Sequence, residues 1–209
     1  MRSRNERPES FIRTARKAQI VKCAIEVIAE VGYAQTSVRK IADRVGIATS
    51  AVLYHFGSKD NLVDAIVEEM YRSALALVVP ALEAETTATG RLNAYIRSSI
   101  AYFGTYRAHL LALASLGTSY QPSDGRPFDE LGLSPEIAEQ LPILDPAPIL
   151  RAGQDSGEFG DFPVDSTAIA LRGAVNAVVE KILRDPGFDV RNYGEDLVTT
   201  FARVVQAAR

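Results

Sequence analysis

The 209-residue chain contains a single cysteine, Cys23, and only two histidines, His55 and His109. One thiol cannot close an internal disulfide, and so few thiol and imidazole donors argue against a dedicated zinc site. No stretch reaches the ~18–20 uninterrupted apolar residues that a membrane span requires, which excludes an integral helical membrane protein. The opening segment MRSRNERPESFIRTARK is charged and lacks the apolar centre of a secretory signal, so a soluble cytoplasmic protein is expected. Sustained apolar–polar alternation, the mark of a half-buried strand, is missing, and no internal repeat is apparent. Catalytic patterns are scarce too. A di-metal carboxylate bundle needs a glutamate three residues before each histidine, but Val52 and Tyr106 occupy those places. No Ser/His/Asp arrangement or phosphate-binding glycine loop occurs either. Neither an enzyme nor a cofactor or metal site is expected.

What is present is an ordinary globular balance, 47% apolar and 23% charged residues, enough for a real core. The net charge of −3 conceals an asymmetry. Residues 1–59 hold eleven Lys/Arg against five Asp/Glu, whereas residues 60–209 hold twelve against 21. A basic head on an acidic body points to a polyanion-binding module joined to a part that binds something else.

Periodicity predicts helices throughout. Residues 1–13 are polar and basic, contain Pro8, and read as a flexible arm. From Thr14, the residues Ile20, Cys23, Ala24, Val27, Ile28 and Val31 recur at three- and four-residue steps, and Gly32 stops that helix. Thr36 or Ser37 is placed to cap a second, short helix whose buried face is Val38, Ile41, Ala42 and Val45, ending at Gly46. A third runs through TSAVLYHF, residues 49–56, to Gly57, and Ser58 can cap a fourth that continues from Lys59 to Pro80. Three helices in about sixty residues, the last two joined by a glycine-containing turn, form a helix-turn-helix arrangement. Beyond it, residues 90–116 read as a helix with a bend near Gly104, residues 117–130 as a polar loop, and 165–185 and about 192–207 as two further helices. Seven of the ten prolines lie between Pro122 and Pro163, which predicts short, interrupted helices there. The expected fold is all-α, with a three-helix helix-turn-helix domain followed by a longer helical body.

On a helical wheel, Thr49, Ser50, Leu53 and Tyr54 share one arc, while Val52 and Phe56 face away from it. In a major groove the two hydroxyls can bond base edges and the leucine can meet a thymine methyl. The flanking residues suit the phosphate backbone: Tyr54 and His55 at the end of the third helix, Lys59 at the start of the fourth, and Thr36, Ser37 and Arg39 at the start of the second.

These residues carry a resemblance. The segment TSVRKIADRVGIATSAVLYHFGSKDNLVDAI, residues 36–66, resembles the DNA-binding segment of the TetR family of transcriptional regulators, and the fit extends back to about residue 14. Thr36, Ile41-Ala42, Gly46, Tyr54-His55-Phe56, Lys59 and Leu62 stand at the family spacing. The resemblance implies phosphate contacts from Thr36, Tyr54, His55 and Lys59, and base contacts from Thr49, Ser50 and Leu53. Two departures stand out. Ala48 replaces a frequent serine, and Leu53 stands where an aromatic residue is common, which weakens any transfer of an operator sequence. The arm with Arg2, Arg4, Arg7, Arg13, Arg16 and Lys17 reads as a disordered tail, with entry into a minor groove the rarer alternative.

The resulting division is an arm over 1–13, a helix-turn-helix domain over 14–59, and a helical ligand-binding and dimerisation domain over 60–209. One helix-turn-helix reads few base pairs, so a two-fold dimer on a pseudo-palindrome is expected. The dimer candidates are Gly173, Ala174, Ala177, Leu197, Phe201 and Val205; the alternative is that they pack within one chain. Polar groups set in apolar helices, Tyr95, Tyr102, Tyr106, His109, Gln154 and Asn176, are the candidates for a small-effector pocket. Cys23 reads as a small core residue. The functional expectation is a homodimeric DNA-binding repressor released from its double-stranded operator by a small-molecule effector. The alternative is a ligand-binding or protein-interaction module whose helix-turn-helix no longer binds DNA.

Overall fold

In the computed structural model, which describes residues 6–125, 132–185 and 187–206, with side chains from Phe11 onward, the chain is all-α. Ten α-helices occur among the described residues, and no strand: α1 Glu6–Val31, α2 Val38–Val45, α3 Thr49–Phe56, α4 Lys59–Glu83, α5 Ala88–Thr105, α6 Arg107–Ser119, α7 Pro135–Gln140, α8 Ala147–Asp155, α9 Val164–Arg184 and α10 Val190–Val204. They fall into two compact units, Met1–Met70 with Ala108–Ser134, and Tyr71–Arg107 with Pro135–Arg209.

The first unit is built on the stripe of α1. Ile20, Ala24, Val27 and Ile28 are buried, together with Val21 and Ile25, whereas Val31 is exposed and Cys23 half-buried. Ile41 and Ala42 of α2, Val52 and Phe56 of α3, and Leu62, Val63 and Ile66 of α4 close the same core, joined by Ala112, Leu116 and Tyr120. Ser37 accepts from the Lys40 N–H and so caps α2, and Ser58 caps α4 through the Asn61 N–H. Gly46 ends α2 in the left-handed region, at φ +78°, with its N–H on the Ala42 carbonyl. A residue with a Cβ is strained there, and this glycine is what lets α3 begin only three residues later.

The head also takes in α6 and the segment after it. The Tyr33 N–H donates to Ser115 Oγ at 2.7 Å, and the Tyr33 and Tyr120 rings meet edge to face at 5.3 Å. Asp60 accepts from the Tyr120 hydroxyl and from the N–H and hydroxyl of Ser123. Glu68 accepts from the N–H and hydroxyl of Ser134. These bonds fasten Tyr120, Ser123 and Ser134 to the first three turns of α4, and Ser115 to the turn after α1.

In the second unit α5 packs on α8, α9 and α10, around Leu92, Ile96, Ile100, Leu150, Leu171 and Val178. Three differences from the sequence reading have local causes. α4 continues past Pro80 to Glu83, because Pro80 and Ala76 both lie on the exposed side, where water takes the carbonyl the proline cannot serve. The break between α5 and α6 falls at Tyr106 (φ −107°, ψ 52°) and not at Gly104, which stays helical and lies against Val190. The helix from Glu6 takes in most of the stretch read as an arm; Pro8 is tolerated there because it sits in the first turn. Arg2, Arg4 and Ala208 lie outside the described residues, and so does the side chain of Arg7.

Candidate nucleic-acid interface

α3 is held from behind by Val52 and Phe56, which are buried, so the opposite arc has to face outward. Thr49, Ser50, Leu53 and Tyr54 are all exposed; Leu53 is 42% and Tyr54 74% accessible. Among the described residues no side chain caps the helix at Ala48, so the hydroxyls of Thr49 and Ser50 stand at an open helix start. The four predicted base-reading and adjacent positions therefore form one surface.

The phosphate candidates divide. Ser37 and Arg39 are exposed beside the start of α2; Ser37 accepts a backbone N–H and keeps its own O–H as a donor. Thr36 departs from the expectation of a side-chain phosphate contact. It is buried, and its hydroxyl donates to the Gly32 carbonyl at 2.8 Å, closing the turn that leads into α2. Lys59 is half-buried. Its ammonium donates to the Thr36 carbonyl at 2.9 Å and lies 4.0 Å from the centre of the Tyr33 ring, so it ties the start of α4 to the start of α2. Burial lowers its pKa from the ordinary value, partly offset by Asp60. Two of its N–H groups remain beyond the one on Thr36, which keeps it capable of meeting an anion.

His55 is half-buried, its ring edge-on to Tyr54, and its buried Nδ1 has no hydrogen-bond partner among the described residues. Burial holds its pKa below 6.5, with Arg13, Lys17 and Arg16 pushing the same way. His109 is also held low, by burial, with Glu69 opposing. The unfolded chain thus takes up protons near pH 6.5 that the folded chain refuses, so stability falls as pH drops below that value. The expected result is a melting temperature that declines between pH 7 and pH 5, with a smaller decline in the His55→Gln/His109→Gln variant. An equal decline in that variant would remove the histidines as its source.

Of the effector candidates, Tyr95, Tyr102 and Tyr106 belong to the second unit and His109 to the first, the helix breaking at Tyr106. The Tyr95 hydroxyl donates to the Leu144 carbonyl at 3.0 Å, and burial pushes its pKa up to about 12. Tyr102 packs on Tyr106 at 5.2 Å. Gln154 donates to the carbonyls of Gly160 and Phe162 and so clamps the turn after α8. Asn176 is exposed on the outer face of α9. What the sequence reading missed is a groove of about 350 Å³ in the second unit, with apolar walls from Leu82, Ile143 and Ile149 and with Arg91, Asp145 and Glu158 at its edge. None of the six candidates lines it.

The dimer candidates divide as well. Leu197, Phe201 and Val205 are buried in the second unit's own core, a correction to their expected place at a seam, since α10 uses that stripe to pack on α5 and α9. Gly173 and Ala177 are exposed on α9, in line with Ala170 and with Ile169, which is 63% accessible; Ala174 is half-buried.

A three-helix head that turns hydroxyls, a leucine and a tyrosine outward from its third helix has the form of a helix-turn-helix module. Over that head the chain is similar to transcription regulators of the TetR family. Residues 20–66 match the sequence model of the bacterial regulatory proteins, tetR family. The HTH-type transcriptional regulator BetI of Burkholderia thailandensis is 32% identical over 69 residues, 33% of this chain and 35% of that protein. The chain thus spans about a third of the length of the curated relatives it matches. Among solved structures, a bacterial regulatory protein in the tetR family from Rhodococcus RHA1 superposes with a TM-score of 0.68 at 25% identity, over 92% of this chain and 98% of that one. The transcriptional regulator FadR from Bacillus subtilis, in complex with stearoyl-CoA, gives 0.72 at 21% identity, over 87% and 95%, and shares the fold. Members of the family are transcription regulators, not enzymes. Among the described residues no helix is long and apolar enough to cross a membrane.

Proposed function

We propose that the chain is a cytoplasmic, homodimeric repressor that occupies a pseudo-palindromic DNA operator and leaves it when a small effector binds. The outward arc of α3 carries this reading: Thr49 and Ser50 toward base edges, Leu53 toward a thymine methyl, with Ser37, Arg39, Tyr54, His55 and Lys59 on flanking phosphates. The outer face of α9, with Ile169, Ala170, Gly173 and Ala177, supports a two-fold seam, since small side chains allow close approach of a second copy. The groove of the second unit supports an effector with an apolar body. Its Arg91, which donates to the Leu82 carbonyl, suits one anionic group, while Asp145 is taken up by Arg172 and Glu158 by the N–H groups of Ala88 and Thr89. FadR, a regulator of the same fold, is seen in complex with stearoyl-CoA, a molecule with a long apolar chain.

The test is selection of bound fragments from the source genome, followed by titration of the best fragment at several salt concentrations. Recovery of a pseudo-palindrome with half-sites about one helical turn apart, or a multiple, is the expected result. Binding no stronger than to random duplex would leave a ligand-binding or interaction module in its place. On the recovered fragment, Leu53→Ala is expected to shift preference at one or two base pairs of each half-site by about 1 kcal/mol, with the salt dependence unchanged. A uniform loss over all sequences would take Leu53 out of base reading.

A further inference from the structure

α1 extends well beyond the core it helps to build. From Phe11 to Gln19 every residue is exposed, and burial begins only at Ile20. Following the buried stripe of Ile20 and Ala24 back by three and four residues gives Lys17, Arg16 and Arg13. The stripe therefore turns from apolar to cationic where the helix leaves the core, and there it runs beside the C-terminal end of α3. The Arg13 guanidinium lies 5.8 Å from the centre of the Tyr54 ring, and the Lys17 ammonium 5.6 Å from that of Phe56. Arg16 donates to Gln19.

Three other cations of the helix-turn-helix have partners within the chain. Arg39 pairs with Asp43, Arg44 with Glu30, and Lys40 donates to the Gln35 carbonyl. Among the described residues no carboxylate pairs with Arg13, Arg16 or Lys17. Like charges three and four residues apart on a helix repel. The face is thus self-repelling, unburied and held against an exposed tyrosine of the recognition helix, an arrangement that an external polyanion would relieve.

We propose that Arg13, Arg16 and Lys17 form a phosphate clamp on duplex DNA, separate from the helix-turn-helix contacts, which grips the strand bordering the C-terminal end of α3 and orders the start of α1. The clamp rests on the DNA-binding reading above. It adds affinity without sequence information, because it meets only the backbone, and Tyr54 sits at its junction with the base-reading arc.

The experiment uses the full chain and the fragment recovered by genomic selection. In the triple variant Arg13→Gln/Arg16→Gln/Lys17→Gln, the slope of log affinity against log salt is expected to flatten by about two to three, close to 0.9 for each phosphate released. Preference among sequences should stay as in the wild type, and the exposed positions should leave the melting temperature nearly unchanged. The Arg13→Lys/Lys17→Arg variant, which keeps the charges, is expected to keep the slope. Hydrogen exchange over residues 11–19 should slow when DNA binds the wild type. An unchanged slope in the triple variant with specific binding intact would overturn the clamp, and so would exchange over 11–19 that DNA leaves unaltered. A wild type that binds no duplex specifically would instead overturn the DNA-binding reading itself.

Discussion

Replacing Gly153 with alanine is expected to destabilise the second unit by about 2–3 kcal/mol. A Cβ at this position would lie 2.0 Å from Cδ2 and 2.3 Å from Cε2 of Phe159. The ring cannot swing aside cheaply. It is buried, the Phe159 N–H is bonded to the Gly153 carbonyl at 2.9 Å, and Gln154 holds the next turn through Gly160 and Phe162. The gain in helix propensity from glycine to alanine, about 1 kcal/mol, offsets only part of such overpacking. Phe159→Ala alone is expected to cost about 3–5 kcal/mol by opening a cavity. The Gly153→Ala/Phe159→Ala pair should then cost less than the sum of the two, because the alanine Cβ enters space that the ring has left. Denaturant unfolding followed by circular dichroism measures all three. A Gly153→Ala chain as stable as the wild type would show that the turn after α8 yields to the ring.

The contrast between Gly46 and Gly153 shows what can be read from sequence. Gly46 acts locally. It ends a short amphipathic segment, and a left-handed cap is the ordinary use of glycine there, so α2, the turn and α3 follow from spacing. The same holds for Val52 and Phe56, which two positions on a wheel place inward. Gly153 acts on a ring six residues away across an irregular turn, and no periodicity announces that. Leu197, Phe201 and Val205 were legible as a buried stripe, yet a stripe does not say whether its cover is the same chain or another. Gln154 and Tyr95 were legible as polar groups among apolar ones, but such groups are as well used to hold a carbonyl of the chain as to hold a ligand. The attachment of α6 to the head, through Ser115 and Tyr33, spans 82 residues and leaves no local signal at all. The outward arc of α3 was therefore readable, and the groove of the second unit was not.

Lys59 gives the other large effect, because two kinds of interaction meet on one ammonium. Lys59→Met keeps most of the aliphatic stem and removes the charge. Inside the head it deletes a charged hydrogen bond to the Thr36 carbonyl and a cation held over the Tyr33 ring. Together these are expected to cost about 2 kcal/mol of stability, since such bonds contribute roughly 1.5–3 kcal/mol and the ring contact up to ~2, shared between overlapping geometries. On DNA the same variant should weaken every sequence by a similar factor and reduce the salt slope by about one. Tyr33→Leu separates the two roles. It removes the ring but leaves the charge, so stability should fall while the salt slope stays. If Lys59→Met changes sequence preference and leaves the slope intact, Lys59 does not touch phosphate, and its work is confined to holding the start of α2 against α4. If both variants flatten the slope alike, the ring positions the ammonium for the backbone, and the Tyr33–Lys59 contact belongs to DNA binding as much as to the fold.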